Sequence, residues 1–223
     1  MMYKKFLSKE YIEIYLILIF ILIIRTLILE PFRIPSGSMQ PTLLIGDFIF
    51  VNKFIYGINI PIINKTINIK KPERGDIIVF KKNDKKNYIK RLIGLSGDKI
   101  IYKNKTIYIN NIKITNKIKY KEIEFKKNEQ IKINILKEYL NPKKEYIIKH
   151  YTDVDTKKYN YSNIIVPINS YFVLGDNRDN SEDSRFWGFT NKKQIKGKAF
   201  IIWLSIDIKN FNIRWNRLLK YIK

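Results

Sequence analysis

The chain contains no cysteine, a single histidine and only one long apolar run. Without cysteine there are no disulfides, no thiol nucleophile and no thiolate metal site, although compartment stays open because an exported protein need not carry disulfides. The lone His150 sits in "IIKHYTD" with no serine motif beside it. A packed or surface histidine is the expectation there. Arginine is scarce as well: of 43 basic residues only eight are Arg, and the 35 lysines are scattered through a chain crowded with Ile and Asn. Lys, Ile and Asn all have A/T-rich codons, so a biased genome accounts for a net charge of +23 without a polyanion partner. Clustered Arg with interleaved aromatics, or a recognisable reading motif, would mark a nucleic-acid binder, and neither is present. Lysines near anionic headgroups are each worth about 1 kcal/mol, which leaves membrane lipid as a partner. At 223 residues the chain has length for one large or two small domains, and no repeat is evident.

The apolar run lies near the N-terminus, in "YIEIYLILIFILIIRTLILEPF" from Tyr11. Ile12 to Leu29 is slightly short of the ~20 residues that usually cross a bilayer, and Arg25 near one end can snorkel to the interface. Lys4, Lys5 and Lys9 resemble the n-region of a cleaved secretory signal, but Glu30-Pro31-Phe32-Arg33 follows, with no small-x-small site. A buried core helix is the other alternative. The reading is an uncleaved anchor over residues 11–29. The lysines of residues 1–10 place that flank in the cytoplasm by positive-inside logic, since large translocated domains are poorly governed by their own charge. The rest of the chain is then expected outside a single-pass cytoplasmic (inner) membrane anchor, on the periplasmic side.

Beyond the anchor the pattern is mostly β. "GDFIFVNKF", "RGDIIVFKK" and "YIKRLIGLSGD" are short strands of Ile, Val, Phe and Tyr closed by Gly-Asp or Asn-rich turns. "KIIYKNKTIYINNIKITNKIKY" alternates apolar and polar residues in hairpin-like pieces. The chemistry-bearing motifs flank this middle stretch. The expected organisation is therefore a β-rich catalytic core over 30–98 and 168–223, interrupted by a β insertion over 99–167.

"RIPSGSMQPTL" presents Ser36 and Ser38 around Gly37, stiffened by Pro35 and Pro41. A serine nucleophile needs a base. The aspartates at 47, 76, 98, 176 and 183 mostly follow Gly or sit at turns, where Asp caps backbone. That leaves lysine. On a strand, Tyr88, Lys90 and Leu92 share one face of "NYIKRLIGL" while Ile89 and Arg91 take the other. Burial beside Tyr and Leu would lower the amine's pKa from ~10.4 and make it a base for serine. A surface lysine with its stem over Tyr88 is the alternative that the residues alone leave open. The third block, "VLGDNRDNSEDSRFWGF", is acidic enough to suggest a calcium loop. The spacing Asp176, Arg178, Asn180 breaks the required order, so a self-satisfied Asp–Arg network is the better reading and no metal is expected.

Together and in this order, the three blocks resemble the boxes of bacterial type I signal peptidases, the membrane-anchored Ser/Lys serine endopeptidases that cut signal peptides from exported preproteins. The likeness covers most of residues 25–98 and 172–205. It implies Ser38 as nucleophile and Lys90 as base, with Ser36 joining the Ser38 N–H in the oxyanion hole. It implies further that Ser181 orients the lysine, that Asp183 and Arg185 form an ion pair bracing that loop, and that Gly175 allows close backbone approach. Phe32, Ile34, Met39, Leu43, Ile49, Val79, Tyr88 and Ile89 match positions lining pockets for small side chains at the first and third places before the cut. No cofactor, signal peptides as substrate, and a monomer are implied. Ser96 stands where the family commonly has Pro, and the additional membrane helix of many Gram-negative relatives is not expected. A self-cleaving repressor-type Ser/Lys protein would instead call for a DNA-binding N-terminal domain.

Overall fold

The computed structural model describes residues 9–23, 29–60, 65–67, 69–126, 129–141, 144–154 and 160–223. In chain order a helix α1 (Lys9–Ile23) precedes β1 (Leu29–Arg33), β2 (Asp47–Asn52), β3 (Ile58–Ile60), β4 (Lys65–Ile67), β5 (Ile77–Lys81) and β6 (Asn87–Gly94). The middle stretch holds β7 (Lys99–Lys103), β8 (Thr106–Ile109), β9 (Ile112–Lys113), β10 (Thr115–Lys126), β11 (Glu129–Asn141), β12 (Lys144–Tyr151) and β13 (Tyr161–Ile165). Then come β14 (Ser170–Leu174), the short helix α2 (Ser184–Trp187), β15 (Thr190–Asn191), β16 (Ile195–Asp207), β17 (Asn212–Ile213) and β18 (Lys220–Tyr221). The protein is mostly β.

The strands that bracket the motifs form one antiparallel sheet in the order β1-β2-β16-β5-β6-β14-β15, with β17 and β18 also pairing with β16. Among the described residues, 99–165 contribute no strand to it. They build a three-stranded sheet β10-β11-β12 and a four-stranded sheet β13-β7-β8-β9. A cluster of wholly buried side chains joins the two regions, with Ile100, Tyr102 and Ile148 from the middle stretch against Ile93, Phe172 and Leu174 of the large sheet. Of the other two cores, one gathers Ile34, Met39, Leu43 and Val79. The last holds Ile78, Phe80, Leu92 and Val173. β5 is buried on both faces, which is why it reads as a continuous run of Ile, Val and Phe rather than as strict alternation; β6 is buried on both faces from Lys90 onward and carries Lys90 and Arg91 inside.

The N-terminal region differs from expectation. α1 has 15 residues, about 22 Å at 1.5 Å per residue, against a bilayer core of ~30 Å. No described helix is long and apolar enough to cross a membrane. Of the expected 11–29 anchor, residues 24–28 lie outside the described residues, and Leu29 already belongs to β1, opposite Asn52. Pro31 explains that early change, because proline cannot continue a helix but is tolerated on an edge strand such as β1.

Candidate active site

Ser38 sits in a 3-10 turn, Gly37–Met39, between β1 and β2. Met39 and Leu43 anchor that turn in the core beneath it. Its far side is tied to the segment after β14: Asn177 donates its backbone N–H to the Ser38 carbonyl (3.1 Å) and its side-chain amide to the Gly37 carbonyl (3.1 Å). Lys90 comes from the middle of β6, paired with Ile78 on β5. Its side chain is only 3% exposed, and its Nζ lies 2.6 Å from Ser38 Oγ across 52 residues of sequence. Among the described residues no carboxylate hydrogen-bonds the amine. Burial is the largest influence on it, only partly offset by the fields of Asp183 and Asp176, and its pKa is pulled down to about 8. Ser36 Oγ is 3.4 Å from Ser38 Oγ, on the exposed side of the turn.

The loop after β14 carries the other expected residues. Asp183 and Arg185 form a buried pair, with Arg185 Nε donating to Oδ1 (2.8 Å) and Nη2 to Oδ2 (2.9 Å). Asp183 also accepts the Gly175 N–H (3.0 Å), so this pair ties α2 to the end of β14. Gly175 is a close-approach position: a Cβ there would collide with Ser181 Oγ and the Ser38 carbonyl oxygen. Ser181 departs from expectation. It lines the same cleft as Lys90, but its hydroxyl points to the Glu182 carbonyl (3.4 Å) and makes no hydrogen bond with the amine. Packing of its side chain against Gly175 accounts for that direction.

Two contiguous clefts meet at Ser38 and Lys90. One, of about 480 Å³, is walled by Phe32, Ile34, Met39, Tyr88 and Ile89, five of the eight residues expected there. The remaining three, Leu43, Ile49 and Val79, are 0% exposed and lie in the core beneath rather than on the wall. Strand alternation places a residue on a face; depth below the surface depends on what packs over it. The second cleft, of about 450 Å³, is lined by Ser36, Ser38, Lys90, Asp179, Glu182 and Phe186 among others.

Several residues that hold this site escaped sequence reasoning. Arg91, next to Lys90 but on the opposite face of β6, is buried and forks onto Asp176, Nε to Oδ1 (2.8 Å) and Nη2 to Oδ2 (2.7 Å). Thr42, three residues beyond Met39, donates to Asp176 Oδ2 (2.5 Å). His150 is packed, one of its two expected settings, and its unforeseen partner is Asp179, with Nδ1 3.1 Å from Oδ2; burial lowers its pKa. Of the third-block carboxylates, Asp176 pairs with Arg91, Asp183 with Arg185, and Asp179 with Lys105 and His150. The one available signal was the Arg on a strand face otherwise filled by Ile, which a buried partner must neutralise.

A hydroxyl in contact with a desolvated amine, beside an apolar groove, is equipped for nucleophilic attack on a carbonyl with an amine as proton acceptor; the class is that of a serine hydrolase acting without histidine. The profile of the family described as "Signal peptidase, peptidase S26" matches residues 8–204. The signal peptidase I of Buchnera aphidicola subsp. Acyrthosiphon pisum is 41% identical, over 96% of this chain and 82% of its own. That of Pseudomonas aeruginosa is 39% identical, over 85% and 69% respectively. A solved signal peptidase I from Enterococcus faecalis is 30% identical and covers 58% of this chain and 97% of its own, with a TM-score of 0.35, too low to add to the sequence match. The chain belongs to the signal peptidase family, peptidase S26.

Proposed function

We propose that this signal peptidase removes signal peptides after a small-x-small segment by means of a Ser38/Lys90 dyad. The observation that carries the reading is the 2.6 Å approach of a buried lysine amine to a serine hydroxyl. With a pKa of about 8, roughly a tenth of the amine is neutral at pH 7, enough to serve as a general base. The signal peptide lies extended past the turn with its small side chains in the cleft of Phe32, Ile34, Met39, Tyr88 and Ile89, which excludes large ones by shape. Lys90 takes the Ser38 proton as Oγ bonds to the scissile carbonyl carbon. The developing oxyanion is held by the Ser38 N–H and the Ser36 hydroxyl, donors of a kind whose loss costs ~10²–10³ in rate. The ammonium then returns its proton to the departing amine of the mature chain, and the neutral lysine activates water to hydrolyse the acyl-enzyme. Neither metal nor cofactor takes part.

The same reading includes a single-pass N-terminal anchor in the cytoplasmic membrane, preceding β1, with residues 1–10 inside and a core of 30–98 and 168–223 outside with 99–167 as its β insertion. It acts as a monomer on lipid and has no nucleic-acid partner. The exposed Phe211, Trp215 (71%), Leu219 and Tyr221 beyond β16 support a lipid-facing end. Trp203, by contrast, is packed on Phe48 and Phe50, at ring-centroid distances of 5.6 and 5.5 Å. The test is incubation of detergent-solubilised protein with a preprotein. Cleavage by the wild type and by neither Ser38→Ala nor Lys90→Ala is expected; unchanged cleavage by either variant removes the dyad.

A further inference from the structure

The two clefts that meet at the dyad differ in charge. The apolar one is rimmed by Arg33, Lys85 and Lys86, all exposed and, among the described residues, without a carboxylate partner. The other is rimmed by Glu182, whose carboxylate makes no ion pair among the described residues, in a chain where lysines outnumber acids heavily. Glu182 lies close enough to act electrostatically on both Lys90 and Tyr88. Behind it Asp179 lines the same cleft with its side chain 1% exposed. Its Oδ2 is engaged by Lys105, His150 and the Tyr151 N–H, while its Oδ1 is buried with no partner. The Phe186 ring, exposed on this wall, offers a surface on which the methylenes of a long cationic side chain can lie.

Because the clefts are continuous through Ser38, a peptide lying in the apolar one before the cut must leave through the other after it. We infer that the cleft of Glu182, Asp179 and Phe186 binds the first residues of the mature chain and selects cationic side chains there, making Glu182 a specificity-determining residue. The inference rests on the dyad reading above, which assigns the apolar cleft to the signal peptide. An exposed rim pair supports a modest effect of about two- to five-fold in kcat/KM.

The experiment uses the full chain in detergent and two peptides that share a small-x-small site and differ only in carrying Lys or Glu at the second residue after the cut. Wild type is expected to cleave the Lys peptide about two- to five-fold better, an advantage that shrinks as salt is raised. Glu182→Gln removes the preference and Glu182→Lys reverses it, a reversal that only a folded enzyme can display. Equal kcat/KM for both peptides in the wild type, or a preference that Glu182→Lys leaves unaltered, overturns the inference while the dyad stands. Cleavage of either peptide by Ser38→Ala overturns the dyad instead.

Discussion

The two faces of β6 bury neighbouring cations in opposite ways. On one face Arg91 has a carboxylate fork-to-fork with it and also donates to the main-chain oxygens of Gly75 (2.7 Å) and Lys223 (3.0 Å), so its charge is retained at full burial. Across the strand Lys90 is nearly as buried, yet its nearest polar neighbour is a neutral hydroxyl, and the ammonium loses ground. Dielectric alone does not decide which buried base keeps its proton; the partner does. One face is built to hold charge and so to hold the fold together, the other to let charge go.

The comparison can be broken most severely on the Lys90 face. Lys90→Met is expected to lower kcat/KM by about 10⁴-fold or more, since partners in such a unit fail together. The same variant should unfold at a temperature no lower than wild type at pH 7. An amine whose folded pKa lies below its unfolded value destabilises the fold at every pH under about 8, and the penalty fades as pH rises towards the unfolded value. Thermal unfolding at pH 7 and pH 10 checks this, with the gap between variant and wild type narrowing at the higher pH.

On the Arg91 face the effect is on stability. Asp176→Ala leaves a buried guanidinium unpaired and is expected to cost about 3–5 kcal/mol, read from urea unfolding. If activity falls while stability is untouched, the division of labour between the faces is wrong. Finest of the three is titration of the wild type itself. Because the neutral amine is the active form, kcat/KM should rise about tenfold per pH unit up to an apparent pKa of about 8 and then level. A profile already level at pH 6 would contradict a lysine base.

Much of this was legible from the letters. Gly-Asp turns and Ile/Val/Phe runs mark β2, β5 and β6, and the shared face of Tyr88, Lys90 and Leu92 singles out one lysine among thirty-five. The Asp183–Arg185 pair was implied by the family likeness and is present in the geometry, while the tight approach at Gly175, expected near the lysine, is to Ser181 and the Ser38 carbonyl. Contacts between distant residues were not legible. Arg91 meets Asp176 from 85 positions away, and His150 meets Asp179 only because β12 is laid alongside the loop. Nor does period-two alternation say that Ile49 and Val79 are roofed over while Phe32 is not. The hydroxyl of Ser181 has freedom about one bond, and its direction is settled by packing that no spacing records.

Residues 176–178 run as a single thread between two neighbours. On one side Lys149 of β12 bonds them twice, donating to the Asp176 carbonyl (2.8 Å) and accepting from the Arg178 N–H (3.0 Å); on the other Asn177 grips the Ser38 turn. The middle stretch therefore acts as a buttress for the Ser38 turn. A shortened enzyme without residues 99–167 would keep every proposed reacting group yet lose both the wall that braces Ser38 and the buried side chains that pack on Ile93, Phe172 and Leu174, so its fold would fail before its chemistry.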